Sequence, residues 1–287
     1  MNLKRRYARD RFMLALIMLA SLIVLIPLLI VIWYVVSQGI SALNWDFFTK
    51  DLGSPTRTQL GQPTGLAQSI LGTLYIDLTA LLLALPVGIS AGIMLAEYRE
   101  HPLNGLLRTL NDTMNGMPAI LKGMLIFAII VKPSGTFSGF AGALALFVVM
   151  LPIIARATEG ALTMVPWSIR EAGLALGIPR WRVILATVIP VARPGLITGA
   201  LIAFARAAGE AAPLLLTSLG NNFLPRNAWN PLEYLTRAAD TLPQRLYSLA
   251  VSPYRDWHAM GWGAGIVLIA IVVVVFLVGR LLTGRSK

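Results

Sequence analysis

The sequence of 287 residues contains no cysteine and only two histidines, His101 and His258. The lack of cysteine excludes disulfide bonds and thiolate metal ligands. The two histidines are far apart in the sequence, and each lies in a polar connection between apolar segments. We therefore assign no catalytic residue and no metal ligand, because covalent catalysis needs a nucleophile beside a base and a metal site needs a cluster of ligands.

Charged residues are also scarce, at 13% of the chain against 56% hydrophobic residues. Soluble domains have about 25% charged residues, so this composition favours an integral membrane protein. Lysine and arginine outnumber aspartate and glutamate by 24 to 13, which gives a net charge of +11. In a membrane protein such an excess gathers in cytoplasmic loops. We therefore predict contact with membrane lipid and no nucleic-acid partner.

Six apolar segments predict an all-α integral membrane protein with six transmembrane helices, because a spanning helix needs about 20 apolar residues. The first segment carries no charge and follows the basic stretch "KRRYARDR". It is too long for the apolar region of a signal peptide, so we predict an uncleaved anchor. The third is short and contains Lys122. The six segments are 12–36, 67–96, 117–131, 139–158, 194–220 and 262–282.

The distribution of basic residues predicts that both termini are cytoplasmic. Of the 24 lysines and arginines, fifteen then lie on the inner side, seven lie outside, and Lys122 and Arg206 lie within spans. Residues 37–66 and 221–261 are then outside and 159–193 inside. We divide the chain into a tail, anchor and outer connection (1–65), a transmembrane domain (66–282) and a cytoplasmic tail (283–287).

The cytoplasmic segment 166–190 contains "EAGLALGIPRWRVI", which predicts two short helices joined by an elbow. Ser168 and Glu171 fit a capping box at the start of the first helix, after Pro166. Gly177 can end that helix in a left-handed conformation, and Pro179 can open the second. Small residues at 172, 173 and 175 would let a partner approach closely. Either a protein groove or the membrane surface could receive such a helix.

Several of these stretches resemble a known family. Glu171-Ala172-Gly173, Gly177 and Ile189-Pro190 resemble the cytoplasmic "EAA" loop of ABC importer permeases, although Gly173 and Thr187 depart from its consensus. The segment "RPGLITGALIAFARAAGEAAPLLLT" (193–217) is similar to the fifth span of phosphate importer permeases. "NGMPAI" (115–120) and "SPYRDW" (252–257) resemble the PstA type of subunit. The resemblance covers about residues 66–282.

This resemblance implies the type I ABC importer permease fold and a non-catalytic subunit that forms half of a phosphate pathway in the bacterial cytoplasmic membrane. Its implied partners are a second homologous permease, two copies of an ATP-binding subunit and a periplasmic or lipid-anchored phosphate-binding protein. The elbow would be the coupling helix that docks on the ATPase. The implied coupling residues are Glu171, Ala172, Gly173, Gly177, Pro179 and Arg180.

The sequence contains no P-loop motif for binding ATP. No GxxxxGK[ST] motif exists, and no Gly-Lys dipeptide occurs anywhere, so no P-loop can form. We therefore predict no cofactor for this chain, with ATP and magnesium bound by the partner ATPase.

Two charged residues fall deep inside the fifth apolar segment. Glu210 follows Arg206 by four residues, so the two can pair on one helical face. Such a pair could simply allow a helix to cross lipid, or its arginine could bind an oxyanion with two parallel hydrogen bonds. The resemblance associates Arg206 and Glu210 with the phosphate path, and it adds Arg170 near the cytoplasmic mouth. Asp77 and Lys122 could reach an interface, pair with each other, or line the path.

Several alternatives stay open at this stage. The chain could be the companion permease of the same importer, or a permease for sulfate, molybdate or phosphonate. A secondary transporter or a channel fits the composition but would have no use for the elbow. An intramembrane hydrolase lacks a nucleophile and base at membrane depth.

Overall fold

The computed structural model describes residues 3–283, apart from the side chains of 3–5, 8, 59, 255, 256, 282 and 283. The tail beyond residue 283 lies outside the described residues. Within them the regular structure is helical, except for one bridge between Leu219 and Ala239. The α-helices are α1 (Leu3–Gly39), α2 (Trp45–Thr49), α3 (Pro55–Gln59), α4 (Ala67–Glu97), α5 (Leu103–Gly116), α6 (Ala119–Ile126), α7 (Lys132–Ser134), α8 (Gly139–Thr163), α9 (Trp167–Ala175), α10 (Arg180–Val183), α11 (Ile189–Ala208), α12 (Ala212–Leu215), α13 (Pro231–Thr236), α14 (Leu242–Ala250) and α15 (Arg255–Thr283).

Five helices are long and apolar enough to cross a membrane, and they confirm most of the predicted spans. Four of them correspond to the first, second, fourth and sixth predicted segments, with somewhat longer bounds. The last extends further towards the N-terminus than predicted and includes His258. The five helices are Arg9–Ala42, Ala67–Glu97, Gly139–Thr163, Arg180–Ala208 and Trp257–Leu281.

The predicted third span is a bent pair rather than a straight helix. Leu103–Gly116 and Ala119–Ser134 meet at an angle of 108°. The second member, in which a π-turn at Phe127–Val131 joins α6 to α7, has 16 residues and is about 24 Å long, shorter than a bilayer core of about 30 Å. Pro118 lies at the bend and favours the extended conformation observed for Met117. Taken together, the two helical pieces are long and apolar enough for a sixth crossing.

The predicted fifth span, 194–220, is wrong at both ends. A π-turn at Ile184–Val188 joins α10 to α11, so the helix runs from Arg180 to Ala208 and contains Pro194. Proline inside a helix removes one backbone hydrogen bond. Membrane proteins tolerate this loss because neighbouring helices and side chains can satisfy the freed backbone group. The helix ends at Gly209, and the short α12 follows separately. The apolar sequence continues, but the helix does not.

Small residues set the distances between the main helices. A Cβ on Gly88 would come within 2.8 Å of Ile154, so α4 lies directly against α8. Likewise, a Cβ on Gly195 would come within 2.6 Å of Ala161, which brings α11 directly against α8. Close approach through glycine and alanine is how membrane helices gain packing energy. The core between these three helices includes Ile76, Ala80, Leu146, Met150, Ala203 and Ala207.

The two ends of this bundle carry different structures. The elbow end carries α9 and α10, and α5 runs beside it with Arg108 bonded to Glu159 on α8 at 2.6 Å. The far end is covered by α2, α3, α13 and α14, and apolar side chains of α2, α14 and the start of α15 form a separate core with nearby loop residues. That core includes Phe47, Leu52, Leu66, Leu242, Leu249 and Trp257. The two long connections are therefore structured caps, as their composition predicts.

Candidate functional site

Arg206 and Glu210 meet where α11 ends. Arg206 lies in the last turn of the helix, and the backbone N–H of Glu210 donates to the carbonyl of Ala207 at 2.9 Å just beyond the end. The Arg206 Nη2 and Glu210 Oε1 atoms are 3.0 Å apart. The predicted pair is therefore present, although it spans a helix end rather than one face of a continuous helix. A cation is also favoured in this last turn by the helix dipole.

The register between α11 and α8 places Arg206 at the middle of the bundle. Gly195 lies against Ala161 and Gly199 lies against Ala157, so the two helices are antiparallel. Continuing that register by seven residues brings Arg206 level with Met150, the twelfth of the 25 residues of α8. Arg206 is thus about equally far from both ends of a spanning helix.

The Arg206 side chain points away from the core of its own chain. It is 64% exposed, whereas the side chain of Glu210 is 18% exposed. A guanidinium at the middle of a membrane is costly when it faces lipid, and such residues almost always face a protein interior or a water-filled cavity. The exposed side of Arg206 therefore requires either a partner subunit or an aqueous path.

Lys122 joins this pair, which sequence reasoning did not foresee. Its side chain is buried and lies within electrostatic range of both Arg206 and Glu210. This proximity arises because α6 lies against α12, with no room for a Cβ on Gly123 beside Pro213. The three side chains place two cations and one carboxylate together, which is an arrangement suited to an anion. We call Lys122, Arg206 and Glu210 the central cluster.

Two expectations for Lys122 and Asp77 are wrong, namely a position at an interface and a mutual ion pair, and the role of Asp77 in the path stays a prediction. Both side chains are buried, so neither reaches an interface. No ion pair joins them within residues 3–283, and Asp77 Oδ2 has no hydrogen-bond partner there. Lys122 and Glu210 are about 90 residues apart, and such a distant approach leaves no signal in the local sequence. The sequence therefore suggested Asp77 as the partner of Lys122.

The elbow has the predicted turn at its centre. Gly177 has φ of +74°, and its N–H donates to the carbonyl of Leu174 at 2.9 Å. The N–H of Ile178 donates to the carbonyl of Gly173 at 3.3 Å, which completes the usual glycine stop of a helix. Pro179 directly precedes α10. The left-handed Gly177 and the role of Pro179 are confirmed.

Two details of the predicted elbow are wrong. The Ser168 side chain makes no capping bond, because the first helix begins at Trp167 and Ser168 is already inside it. Gly173 does not belong to an outer surface, since a Cβ there would come within 2.8 Å of Val183 inside the elbow. Ala172 and Ala175 are exposed as predicted, and beside them lie the exposed Glu171, Leu174, Leu176 and Trp181.

Arg170 lies at the elbow end, far from the central cluster. Its Nε donates to both carboxylate oxygens of Glu97, at 3.0 and 3.1 Å. Its Nη1 and Nη2 donate to the carbonyls of Val165 and Leu162, each at 2.8 Å. Leu162 lies in the last turn of α8, where a helix leaves its last carbonyl groups without partners, and Val165 lies two residues beyond that helix. Arg170 therefore fastens the elbow to the ends of two spanning helices.

Arg180 meets Glu97 from the second helix of the elbow. Its guanidinium donates to the backbone carbonyl of Glu97 and lies 4.9 Å from the centre of the Tyr98 ring. Glu97, which the sequence did not single out, is 3% exposed and is the point that both elbow arginines share. A cavity of about 800 Å³ lies beside this contact, between the end of α4 and the elbow.

Comparison with known proteins places these features in a family. Residues 88–287 match the family described as "Binding-protein-dependent transport system inner membrane component". The phosphate transport system permease protein PstA of Yersinia pestis is 37% identical over 98% of this chain and 92% of its own length. The probable phosphate transport system permease protein PstA of Methanocaldococcus jannaschii is 32% identical over 94% of this chain and 92% of its own.

Solved structures share the fold at lower identity. A chain of the MetNI methionine ABC transporter, in an inward-facing conformation, has a TM-score of 0.64 at 18% identity and covers 82% of this chain and 100% of its own. A chain of a bacterial alginate ABC transporter has a TM-score of 0.64 at 14% identity, with 99% and 97% covered. The fold is thus the all-helical permease fold of type I ABC importers, in a protein that crosses the membrane several times. The chain belongs to the binding-protein-dependent transport system inner membrane components and, within them, to the PstA family of phosphate transport system permease proteins.

Proposed function

We propose that this chain is the permease subunit of an ATP-driven importer of inorganic phosphate in the bacterial cytoplasmic membrane, with both termini cytoplasmic. The observation that carries the proposal is the central cluster, with its exposed arginine at the middle of a spanning helix. The names of the relatives support phosphate as the cargo over sulfate, molybdate or phosphonate.

The chemistry of the central cluster suits phosphate. Arginine presents two parallel N–H donors that match a tetrahedral oxyanion, and Lys122 adds a second positive charge. Glu210 holds the guanidinium when the path is empty and releases it to phosphate during passage. Its carboxylate can also accept a hydrogen bond from a protonated phosphate oxygen, which fully ionised sulfate does not offer. The cluster therefore both compensates the charge of the anion and favours one anion over another.

The exposure of Arg206 supports a second permease as the other wall of the path. A guanidinium that is 64% exposed at this depth needs a protein or aqueous surface opposite it. A companion permease with the same fold, paired with this one in a heterodimer, supplies that surface. Each chain then forms half of the pathway.

The elbow supports docking on an ATPase. Leu174, Leu176 and Trp181 expose apolar surface on a short helical element, which suits insertion into a groove of another protein. Two ATP-binding subunits, one for each permease, would bind ATP and magnesium, because this chain has no P-loop. Arg170 and Arg180 then pass movement of the elbow to Glu97 at the end of α4. We propose this coupling role for Arg170 rather than direct contact with phosphate.

The far end of the bundle is the side on which phosphate arrives. Its structured caps, at 37–66 and 221–261, offer a fixed surface to a periplasmic or lipid-anchored phosphate-binding protein. Release of phosphate from that protein would lead inward to the central cluster.

Uptake by the reconstituted complex tests the proposal. The chain is purified with its companion permease and ATPase, placed in liposomes with the phosphate-binding protein, and supplied with ATP. We expect ATP-dependent uptake of radiolabelled phosphate and little uptake of sulfate. Equal uptake of sulfate or molybdate would favour the other-oxyanion alternative, and uptake without ATP would favour a secondary transporter or channel.

A further inference from the structure

A second polar cavity lies at the far end of the bundle, opposite the elbow. Its volume is about 190 Å³, and its walls are the first turn of α4, residues 221–226 and the chain from α13 to Asp240. Gln68 in this wall precedes Ala84 by 16 residues on α4. Because Gly88 lies against Ile154, Ala84 lies level with Met150, which is also the level of Arg206. A helix rises about 24 Å over 16 residues, so the cavity is about 24 Å from the level of Arg206. It is thus a separate site.

Buried polar atoms without partners line this cavity. Gln68 is 1% exposed, and neither its Nε2 nor its Oε1 has a hydrogen-bond partner in the described part of the chain. Tyr234 is 2% exposed, and its hydroxyl likewise has none. Buried side-chain amides and phenols almost always make hydrogen bonds, so these atoms need a ligand or ordered water.

Asp240 offers an acceptor on the same wall. Its Oδ2 accepts hydrogen bonds from the Ser69 hydroxyl and from Arg245 Nε, the latter at 2.6 Å. Its Oδ1 has no partner among residues 3–283. Burial raises the pKa of Asp240 above its ordinary value, and the neighbouring Arg245 and Ser69 act against that rise. One oxygen is thus held in place while the other stays available.

Two arginines and two carboxylates line the cavity, and because Asp240 is paired with Arg245 the site has one excess positive charge. Arg226 and Arg237 both line it, and neither guanidinium makes a hydrogen bond or an ion pair within the described residues. Glu233 is the other carboxylate on the wall, and its Oε2 already accepts from the N–H of Asn227, at 3.5 Å. Gln68 also lies in the first turn of α4, where the helix dipole favours an anion. A metal cation is disfavoured here, and an oxyanion is favoured.

We propose that this outer cavity binds inorganic phosphate in a protonated form before it moves inward to the central cluster. Gln68 Nε2, the Tyr234 hydroxyl and the two free guanidinium groups donate to the anion. Asp240 Oδ1 accepts from a protonated phosphate oxygen, and it repels sulfate, which carries no proton at neutral pH. The choice of phosphate rests on the proposed function, whereas the existence of an anion site rests on the cavity itself.

Tyr234→Phe is the most informative variant. The hydroxyl has no protein partner, so its removal should leave the thermal stability of the complex unchanged or slightly raised. If phosphate binds there, the affinity should fall about tenfold, as for the loss of one hydrogen bond to a charged ligand. Gln68→Leu should weaken binding at least as much. Tyr247→Phe, at an exposed tyrosine outside the cavity, is the matched control.

The measurement is equilibrium binding of radiolabelled phosphate to the purified complex without ATP and without the phosphate-binding protein. Arg206→Leu with Glu210→Leu is present throughout, so that the central cluster does not contribute. We expect saturable binding, little competition from sulfate, and weaker binding in both cavity variants but not in the control. Three results would each overturn the inference. The first is no binding, which indicates ordered water only in the cavity. The others are unchanged binding in Tyr234→Phe and Gln68→Leu, and equal competition by sulfate. Phosphate uptake by the wild-type complex is measured in parallel, because its absence would instead count against the proposed function.

Discussion

Glu97 and Arg170 form a buried ion pair that ties the end of α4 to the first helix of the elbow. The Arg170 Nε lies 3.0 and 3.1 Å from the two carboxylate oxygens, and both side chains are almost fully buried. The contact joins residues 73 positions apart in the sequence. The ion pair provides a direct mechanical link from the elbow to a spanning helix, so its loss should affect both the stability of the permease and its coupling to the ATPase.

Glu97→Gln should destabilise the permease. It removes the charge that compensates the buried Arg170, and loss of one partner of a buried pair typically costs about 3–5 kcal/mol. Thermal unfolding of the purified complex should therefore begin at a clearly lower temperature. Glu100→Gln changes an exposed glutamate three residues away and serves as the control. Equal unfolding temperatures for the two variants would show that the pair does not hold the elbow.

Gly177→Val should uncouple transport from ATP hydrolysis. Gly177 has φ of +74°, which a β-branched residue strongly disfavours, while nothing lies within 4 Å of the position that its Cβ would take. The defect is thus one of backbone conformation and not of space. Gly177→Asn should retain most uptake, because asparagine adopts left-handed φ more readily. Wild-type phosphate uptake by Gly177→Val would mean that the elbow does not transmit movement.

Lys122→Gln should reduce phosphate uptake while the complex still assembles. The change removes one of two cations from the central cluster, so an entering anion meets less positive charge. Glutamine keeps much of the length and polarity of the side chain. Lys132→Gln, at an exposed lysine on the same bent segment, is the matched control. If the two variants transport phosphate equally well, Lys122 has no part in the path.

Cysteine labelling tests the predicted orientation, and the absence of native cysteine makes it clean. Ser54 and Asn227 lie at the far end of the bundle, whereas the exposed Ser168 lies at the elbow end. Single cysteines at 54 and 227 should react with an impermeant maleimide on intact cells, and one at 168 should not. Reaction at 168 without permeabilisation would reverse the assignment of both termini to the cytoplasm.

Local patterns in the sequence predict much of the fold and the centre of the elbow. The apolar runs of α4, α8 and α15 are long enough to predict spanning helices, and Gly177 with Pro179 specifies a turn through backbone chemistry alone. The end of α11 was missed because Gly209 adopts an ordinary right-handed conformation, with φ of −93°, and the sequence is apolar again after Glu210. Nothing local marks that end.

The contacts that build the sites depend on distant parts of the chain. Glu97 reads as an ordinary polar residue at the end of a span until the fold brings Arg170 beside it. Lys122 lies within electrostatic range of Arg206 because Gly123 lets α6 approach α12. The Arg206–Glu210 pair was predictable because its partners are four residues apart and so remain neighbours even across a helix end.

Arg206→Lys should lower phosphate uptake sharply while expression stays near normal. Lysine keeps the positive charge but cannot offer two parallel donors to the anion. Arg193→Lys, an exposed position near the start of the same helix, should leave uptake unchanged. Uptake that is insensitive to Arg206→Lys would indicate that only the charge matters at this position.

The most direct measurement of the proposed pathway is phosphate uptake by the double variant Arg206→Leu with Glu210→Leu. Replacing both members of an ion pair by apolar residues is often neutral for stability, so the complex should assemble with its ATPase. If phosphate passes through the central cluster, this assembled complex should take up no radiolabelled phosphate when ATP is supplied. Near-normal uptake by the double variant would contradict the account and would leave the pair as a structural feature of the helix end.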